Sequence, residues 1–243
     1  MDFGVIFDWD GVVVNSLNPH EESWKKLASQ LGHTLPEDFL RDGFGMKNEK
    51  FIAEVLGWSM NSREIEHLSW QKEEIYRQIV GERGIEVITG VETFIQDLRE
   101  NSVPCAIGSS TQRLNITFIL EKLGWEEYFD VIVAADDVEW GKPNPQVFML
   151  CSERLRMPSE RCVVFEDTPI GIRAAKMASM GVVGLTTTHG RYQLWEADII
   201  VQNFEELSAQ KVYHWFSDRW MKMEKLLPAP DPDDKLESPG ALM

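Results

Sequence analysis

Cysteine is scarce in this chain: Cys105, Cys151 and Cys162 are three among 243 residues. They show no C-x-x-C spacing, cannot all pair, and sit in or beside apolar or helical runs. The pattern reads as reduced, packed thiols in a cytoplasmic protein. Positive charge is short as well: 24 Lys and Arg stand against 40 Asp and Glu, for a net charge of −16. That balance excludes nonspecific binding to nucleic acid or to an anionic membrane. An anionic substrate would therefore need positive charge supplied locally by its site. No apolar run approaches the ~18 residues that span a bilayer, no signal peptide is read before the first strand pattern, and internal repeats are absent. Hydrophobic residues make up 43% of the chain, enough for a real core. The length permits one large domain, or a domain with another inserted in it.

The segment on which the rest depends is Val5-Ile6-Phe7-Asp8-Trp9-Asp10-Gly11-Val12-Val13. A short apolar run closed by glycine predicts a buried strand ending in a tight turn. If the chain stays extended through Trp9, Asp8 and Asp10 face one spot beyond the strand. Two such carboxylates repel, and a hard cation such as Mg²⁺ removes the conflict. One acid is then free to attack as a nucleophile while the other moves a proton. A plain surface turn is the competing reading of Asp-x-Asp-Gly.

Helical patterns follow at 19–31, 37–41, 47–56 and 62–80, the last capped by Asn61 or Ser62, with no convincing strand between 16 and 84. From 85 onward helix and strand patterns alternate: helices at 91–100, 112–123, 145–155, 169–179, 192–196 and 204–223, and strands at 103–108, 131–135, 162–165, 182–185 and 198–201. This predicts an α/β fold, a doubly wound parallel sheet with a small helical domain inserted after the first strand. Residues 1–15 and 84–226 form the core domain in this reading, and 16–83 the insert. Residues 227–243, with four prolines and several acids, read as a disordered or loosely docked tail. Tryptophans 58, 70, 195, 215 and 220 read as packing residues rather than stacking platforms.

Ligands of open α/β sheets bind beyond the carboxyl ends of strands. Four strand patterns run into chemistry there: Asp8; Ser109-Ser110-Thr111; Asp136-Asp137 followed by Gly141-Lys142-Pro143; and Glu166-Asp167. Ser109 and the backbone N–H groups after it suit phosphate oxygens, besides serving as a helix cap. Lys142 offers a point charge in a loop stiffened by two prolines. Glu166 and Asp167 suit metal ligation better than simple helix capping, because Asp8 and Asp10 need a shared cation. Together these groups are what in-line phosphoryl transfer requires.

Asp8-Trp9-Asp10-Gly11-Val12-Val13, Ser109, Gly141-Lys142-Pro143-Asn144-Pro145 and Glu166-Asp167-Thr168-Pro169-x-Gly171 resemble the four ordered motifs of the haloacid dehalogenase superfamily. The resemblance covers about residues 3 to 207. It is to the helical-cap, Mg²⁺-dependent phosphatase branch that includes β-phosphoglucomutase and phosphoglycolate-type phosphatases. It implies a Rossmann-like core, with Asp8 as nucleophile and Asp10 as general acid/base. Asp8, the Asp10 carbonyl and Asp167 would ligate Mg²⁺ with help from Glu166, and Ser109 and Lys142 would hold the transferring phosphate. Gly11, Ser110 and Asn144 would lie beside the substrate. Asn15-Ser16, where many members carry Asp-Ser or Asp-Thr, is a small departure.

Cap residues carry less information. His20 resembles a histidine that relatives place at the cap-helix start, against a capping or solvated role. Gly45 and Lys47 lie in the glycine-bracketed loop Gly43-Phe44-Gly45-Met46-Lys47, the kind that chooses substrate in the family. Lys72 resembles a mutase cap lysine, although in Gln71-Lys72-Glu73-Glu74 it reads as a solvated face. Arg113 meets a second anionic group or solvent. The implied function is a cytoplasmic phosphatase of a small phosphorylated metabolite, a sugar or polyol phosphate, working through an aspartyl-phosphate. The cap segment 70–76 and the Ser-Ser-Thr-Gln-Arg loop also resemble a riboflavin-pathway phosphatase acting on a phosphorylated ribitylaminouracil. A phosphomutase is the nearest rival, favoured by His20 and Lys72 and opposed by Lys47 standing where the mutase offers arginine. A non-catalytic scaffold on the same fold is the remaining one. The expected partners are the substrate alone, with no nucleic acid or membrane, in a monomer or a homodimer.

Overall fold

The computed structural model describes residues 1–224, so the expected tail at 227–243 lies outside the described residues. Among the described residues six strands form one parallel sheet: β1 (Gly4–Phe7), β2 (Cys105–Gly108), β3 (Val131–Val133), β4 (Cys162–Glu166), β5 (Gly181–Leu185) and β6 (Ile199–Val201), in the order β3-β2-β1-β4-β5-β6. β1 is a central strand because every side chain on it is apolar or absent. Val5, Ile6 and Phe7 are fully buried, and strand alternation sends them to opposite faces. Val5 and Phe7 join one apolar cluster with Ile107, Val163 and Phe165; Ile6 joins the other with Ala106, Val164 and Val182. The first cluster is roofed by α5 (Val91–Glu100), α6 (Arg113–Leu123) and α9 (Ala209–Glu224), and the second by α7 (Gln146–Leu155) and α8 (Pro169–Met177). The expected doubly wound sheet is the observed one.

Between β1 and α5 the chain is helical: α1 (Leu17–Leu31), α2 (Phe39–Gly43), α3 (Asn48–Lys50) and α4 (Ser62–Arg83). These helices enclose a third apolar cluster around Trp24, Leu27, Phe51 and Ile52. Asn61 caps α4, accepting from the N–H groups of Arg63 and Glu64 at 3.0 and 3.2 Å. Tyr76 and Val80 of α4 reach into the core cluster of the sheet, which fixes the insert to the core.

Three helix expectations change. The helix expected at 47–56 breaks after Lys50 into a π-helical turn, Phe51–Val55. The wider turn lets both Phe51 and Ile52 bury, the Phe51 ring lying against Gly43 and 5.0 Å from Trp24. No helix forms at 192–196: Leu194 alone is buried there, while Tyr192 and Trp195 are exposed, so no continuous apolar face exists. The final helix starts at Ala209, because Phe204 is buried in the turn before it and its N–H donates to the Thr89 carbonyl. Trp70 and Trp195 are exposed and are not packing residues, unlike Trp220. Among the described residues the three cysteines are free and buried, and no helix is long and apolar enough to cross a membrane.

Candidate active site

The carboxyl ends of β1, β2 and β4 meet at one spot. There Lys142, from the loop before α7, is fully buried with its Nζ 2.8 Å from Asp8 Oδ1 and 2.7 Å from Glu166 Oε1. An ammonium sealed in an apolar surround persists only with such partners. Glu166 is satisfied on its other oxygen by the N–H groups of Asp167 and Thr168 and by the Thr168 hydroxyl, at 2.7–2.9 Å. Burial pushes its carboxyl up, but Lys142 and these donors outweigh burial and hold it below the usual range.

Asp167 is placed differently. Thr188 donates to its Oδ2, while Oδ1 is buried with no hydrogen-bond partner. One oxygen from each of Asp8, Glu166 and Asp167 lies within 4.8 Å of the others. Burial raises the Asp8 and Asp167 carboxyls well above the usual range; the neighbouring carboxylates add to this, against the opposing pull of Lys142. An orphaned carboxylate oxygen in a crowded acidic cluster is what a hard divalent cation relieves, so the residues fit a metal centre.

Asp10 lines the same cavity as Asp8, but its carboxylate turns to the insert. Ser16 donates to Oδ1 at 2.6 Å, His20 Nε2 lies 3.0 Å from Oδ1, and Thr111 donates to Oδ2. Burial raises this carboxyl; His20 and the two hydroxyls more than cancel it and bring it to about 2. His20 stacks on Tyr76 at 4.1 Å, and its Nδ1 lies 2.6 Å from Lys72 Nζ. Lys72 is 1% exposed and pairs with Glu73 at 2.9 Å, so the solvated-face reading of Lys72 is overturned: Trp24 and Tyr76 cover it.

Other candidate residues divide by location. Ser109, Ser110 and Gly45 line the cavity. Gly11, at φ +75°, has its carbonyl bound by the Thr187 hydroxyl at 2.5 Å. Lys47 instead donates to the Val138 carbonyl at 3.0 Å, outside the cavity. Arg113 pairs with Asp137 at 2.5 Å and donates to the Ile132 carbonyl, outside the cavity lining. Asn144 accepts from the Gln146 N–H at 3.0 Å in the turn before α7, outside the cavity lining. Thr187, Thr188 and Glu73 are site residues that the sequence alone does not single out, and Ser16, visible there only within the Asn15-Ser16 departure, joins them. Thr186-Thr187-Thr188 follows β5 directly, so the strand-end rule applied to a fifth strand finds them.

The cavity between sheet and insert measures about 40 Å³ and is walled by Trp24, Leu40, Phe44 and Phe51 on the insert side. By this measure a water needs roughly 10–15 Å³, so the space holds a few waters.

The model for haloacid dehalogenase-like hydrolases matches residues 5–185. A chloroplastic 5-amino-6-(5-phospho-D-ribitylamino)uracil phosphatase of Arabidopsis thaliana is 35% identical over 209 residues, which is 84% of this chain and 55% of that relative. The chain thus spans little more than half of that relative's length. A validoxylamine A 7'-phosphate phosphatase of Streptomyces hygroscopicus subsp. limoneus is 30% identical over 202 residues, covering 83% of this chain and 94% of the relative. The solved β-phosphoglucomutase from Clostridium difficile superposes with a TM-score of 0.81 over 91% of this chain and all of that one, at 23% identity, a likeness of fold. Motif order, fold and family match agree, and the chain belongs to the haloacid dehalogenase-like hydrolases.

Proposed function

We propose that this protein is a Mg²⁺-dependent phosphatase of a small phosphorylated metabolite, a sugar or polyol phosphate, acting through an aspartyl-phosphate on Asp8. The observation that carries the reading is the buried Asp8–Lys142–Glu166–Asp167 cluster with its unpartnered Asp167 oxygen. Asp8, Glu166 and Asp167 would hold the metal, together with the Asp10 carbonyl. When bound, it would offset charge on the transferring phosphoryl group.

Asp8 attacks phosphorus while Lys142 and Ser109 position the phosphoryl oxygens. Asp10 protonates the leaving oxygen and then takes the proton from the water that opens the acyl phosphate. In the closed arrangement Asp10 is held ionised by His20, Ser16 and Thr111, the state the second step needs. Its acid role requires one of those contacts to loosen. Residues 16–83 act as a cap that moves as substrate enters, because Trp24, Phe44 and Phe51 of that segment wall the cavity that Asp8 lines.

The similarity to the ribitylaminouracil phosphatase supports that phosphate as a substrate candidate. A phosphomutase is the second reading, favoured by the buried His20–Lys72 contact on the cap. Phosphate release with and without Mg²⁺, measured across sugar, polyol, glycolate and ribitylaminouracil phosphates, tests both. Strong Mg²⁺-dependent release from one class supports the phosphatase. Glucose 6-phosphate formed from β-glucose 1-phosphate and its bisphosphate without release decides for the mutase. Silence with Mg²⁺ bound rejects both.

A further inference from the structure

Building on the phosphatase reading, we infer that Glu73 sets the substrate class: its buried carboxylate, on the cap wall of the cavity, selects leaving groups that carry hydroxyls and no second anionic group. Lys72 and Glu73 are consecutive on α4, are 1% and 2% exposed, and line the cavity together with Asp8, Asp10 and Ser109. Lys72 looks like a receptor for a distal phosphate, but its charge is already answered by Glu73 Oε1 at 2.9 Å. Glu73 is ionised: burial raises its carboxyl, and Lys72, His20 and the Asn48 amide more than reverse this.

The remaining cations near the cavity are committed elsewhere. Arg113 serves Asp137, Lys47 the Val138 carbonyl, and Arg77 the Asn115 amide oxygen at 2.7 Å. Lys142 faces Asp8 and Glu166. Among the described residues lining the cavity, Lys72 and His20, already engaged with Glu73 and Asp10, stand against the carboxylates of Asp8, Asp10 and Glu73. A second phosphate entering with the leaving group would meet the buried Glu73 carboxylate beside Trp24, Phe44 and Phe51, where like charges repel more strongly than in open water.

Hydroxyl groups meet the opposite reception. Glu73 accepts from Lys72, from Asn48 at 2.7 Å and from Asn115 at 2.5 Å. A carboxylate offers about four acceptor positions, which leaves room for a substrate hydroxyl. The same side chain thus attracts a polyol and repels a bisphosphate, the combination that specificity requires.

The test compares kcat/KM for fructose 1-phosphate and fructose 1,6-bisphosphate, using the full chain with saturating Mg²⁺ and p-nitrophenyl phosphate as a reference ester. The wild type is expected to favour the monophosphate by about tenfold or more. Glu73→Gln should shrink that ratio, chiefly through a lower KM for the bisphosphate. Lys72→Gln, which leaves Glu73 unanswered, should widen it; loss of packing alone would move both variants the same way. A wild-type ratio near one or inverted overturns the inference, as does an unchanged ratio in a Glu73→Gln protein whose circular dichroism is native. Absence of release from every ester, p-nitrophenyl phosphate included, instead overturns the phosphatase reading on which the inference stands.

Discussion

A β-carbon on Gly171 would lie 1.6 Å from Glu166 Oε1, the oxygen that Lys142 also holds. The first turn of α8 therefore passes so close to Glu166 that only glycine leaves the carboxylate its place. Gly171→Ala should force Glu166 off Lys142, destabilise the fold by about 1–3 kcal/mol as overpacking does, and weaken Mg²⁺ binding. Urea unfolding and isothermal titration with Mg²⁺ check the two effects, and native values for both would reject this contact as a constraint.

Asp8→Asn should abolish turnover while leaving metal-free thermal stability unchanged or higher. Asp8 is a buried acid whose ionised form is disfavoured by burial and by Glu166, so an amide relieves crowding, and Lys142 keeps Glu166 as its partner. Residual turnover in a clean preparation, or a markedly lower melting temperature, would contradict the proposed role of Asp8.

Adding Mg²⁺ should raise the melting temperature. At one hundred times its Kd, a ligand that binds only the folded state contributes about 2.7 kcal/mol. Asp167→Asn removes a charge from the cluster and should abolish most of that shift, because the orphaned Oδ1 belongs to this residue. Equal shifts in the two proteins, followed by differential scanning calorimetry, would place the metal elsewhere.

Glu73 provides a pH signature. Its folded carboxyl titrates below 4.5, the ordinary value, with burial opposing and Lys72 and His20 dominating the shift. A depressed carboxyl contributes stability above the unfolded value and loses it as pH falls through the folded one. The stability gap between wild type and Glu73→Gln should be full at pH 7, begin to close below about 4.5, and close further with acid. At neutral pH the variant leaves Lys72 buried without its charge partner, a loss of roughly 3–5 kcal/mol. Urea titrations of both proteins between pH 7 and 4 measure the gap; a constant gap would mean that the carboxylate charge is not what the variant loses.

Much of the fold was legible because the strands are short apolar runs that end in polar residues at the same edge. Val5-Ile6-Phe7 into Asp8, and Val163-Val164-Phe165 into Glu166, locate strand and site in one reading. Legibility failed where a side chain's fate depends on another segment. Lys72 reads as solvated from its charged neighbours, yet Trp24, Tyr76 and His20, all outside its local sequence, bury it. Arg113 and Lys47 look free until Asp137 and the Val138 carbonyl are seen to hold them. The π-turn at Phe51 likewise answers to Gly43 and Trp24 rather than to local propensity.

The central place of β1 bears on how the protein is made. Val5 hydrogen-bonds within a register set by Cys105 on one side and Val163 on the other, so Asp8 has no finished neighbourhood until both strands exist. During synthesis the ribosome must release residues past Glu166 before the sheet can close around β1. Until then a strand made wholly of core residues has its β4 edge open, and the insert emerges in the interval. The strand that carries Asp8 thus keeps an open edge until β4 has been made, the window in which a chaperone would have its chief effect on yield.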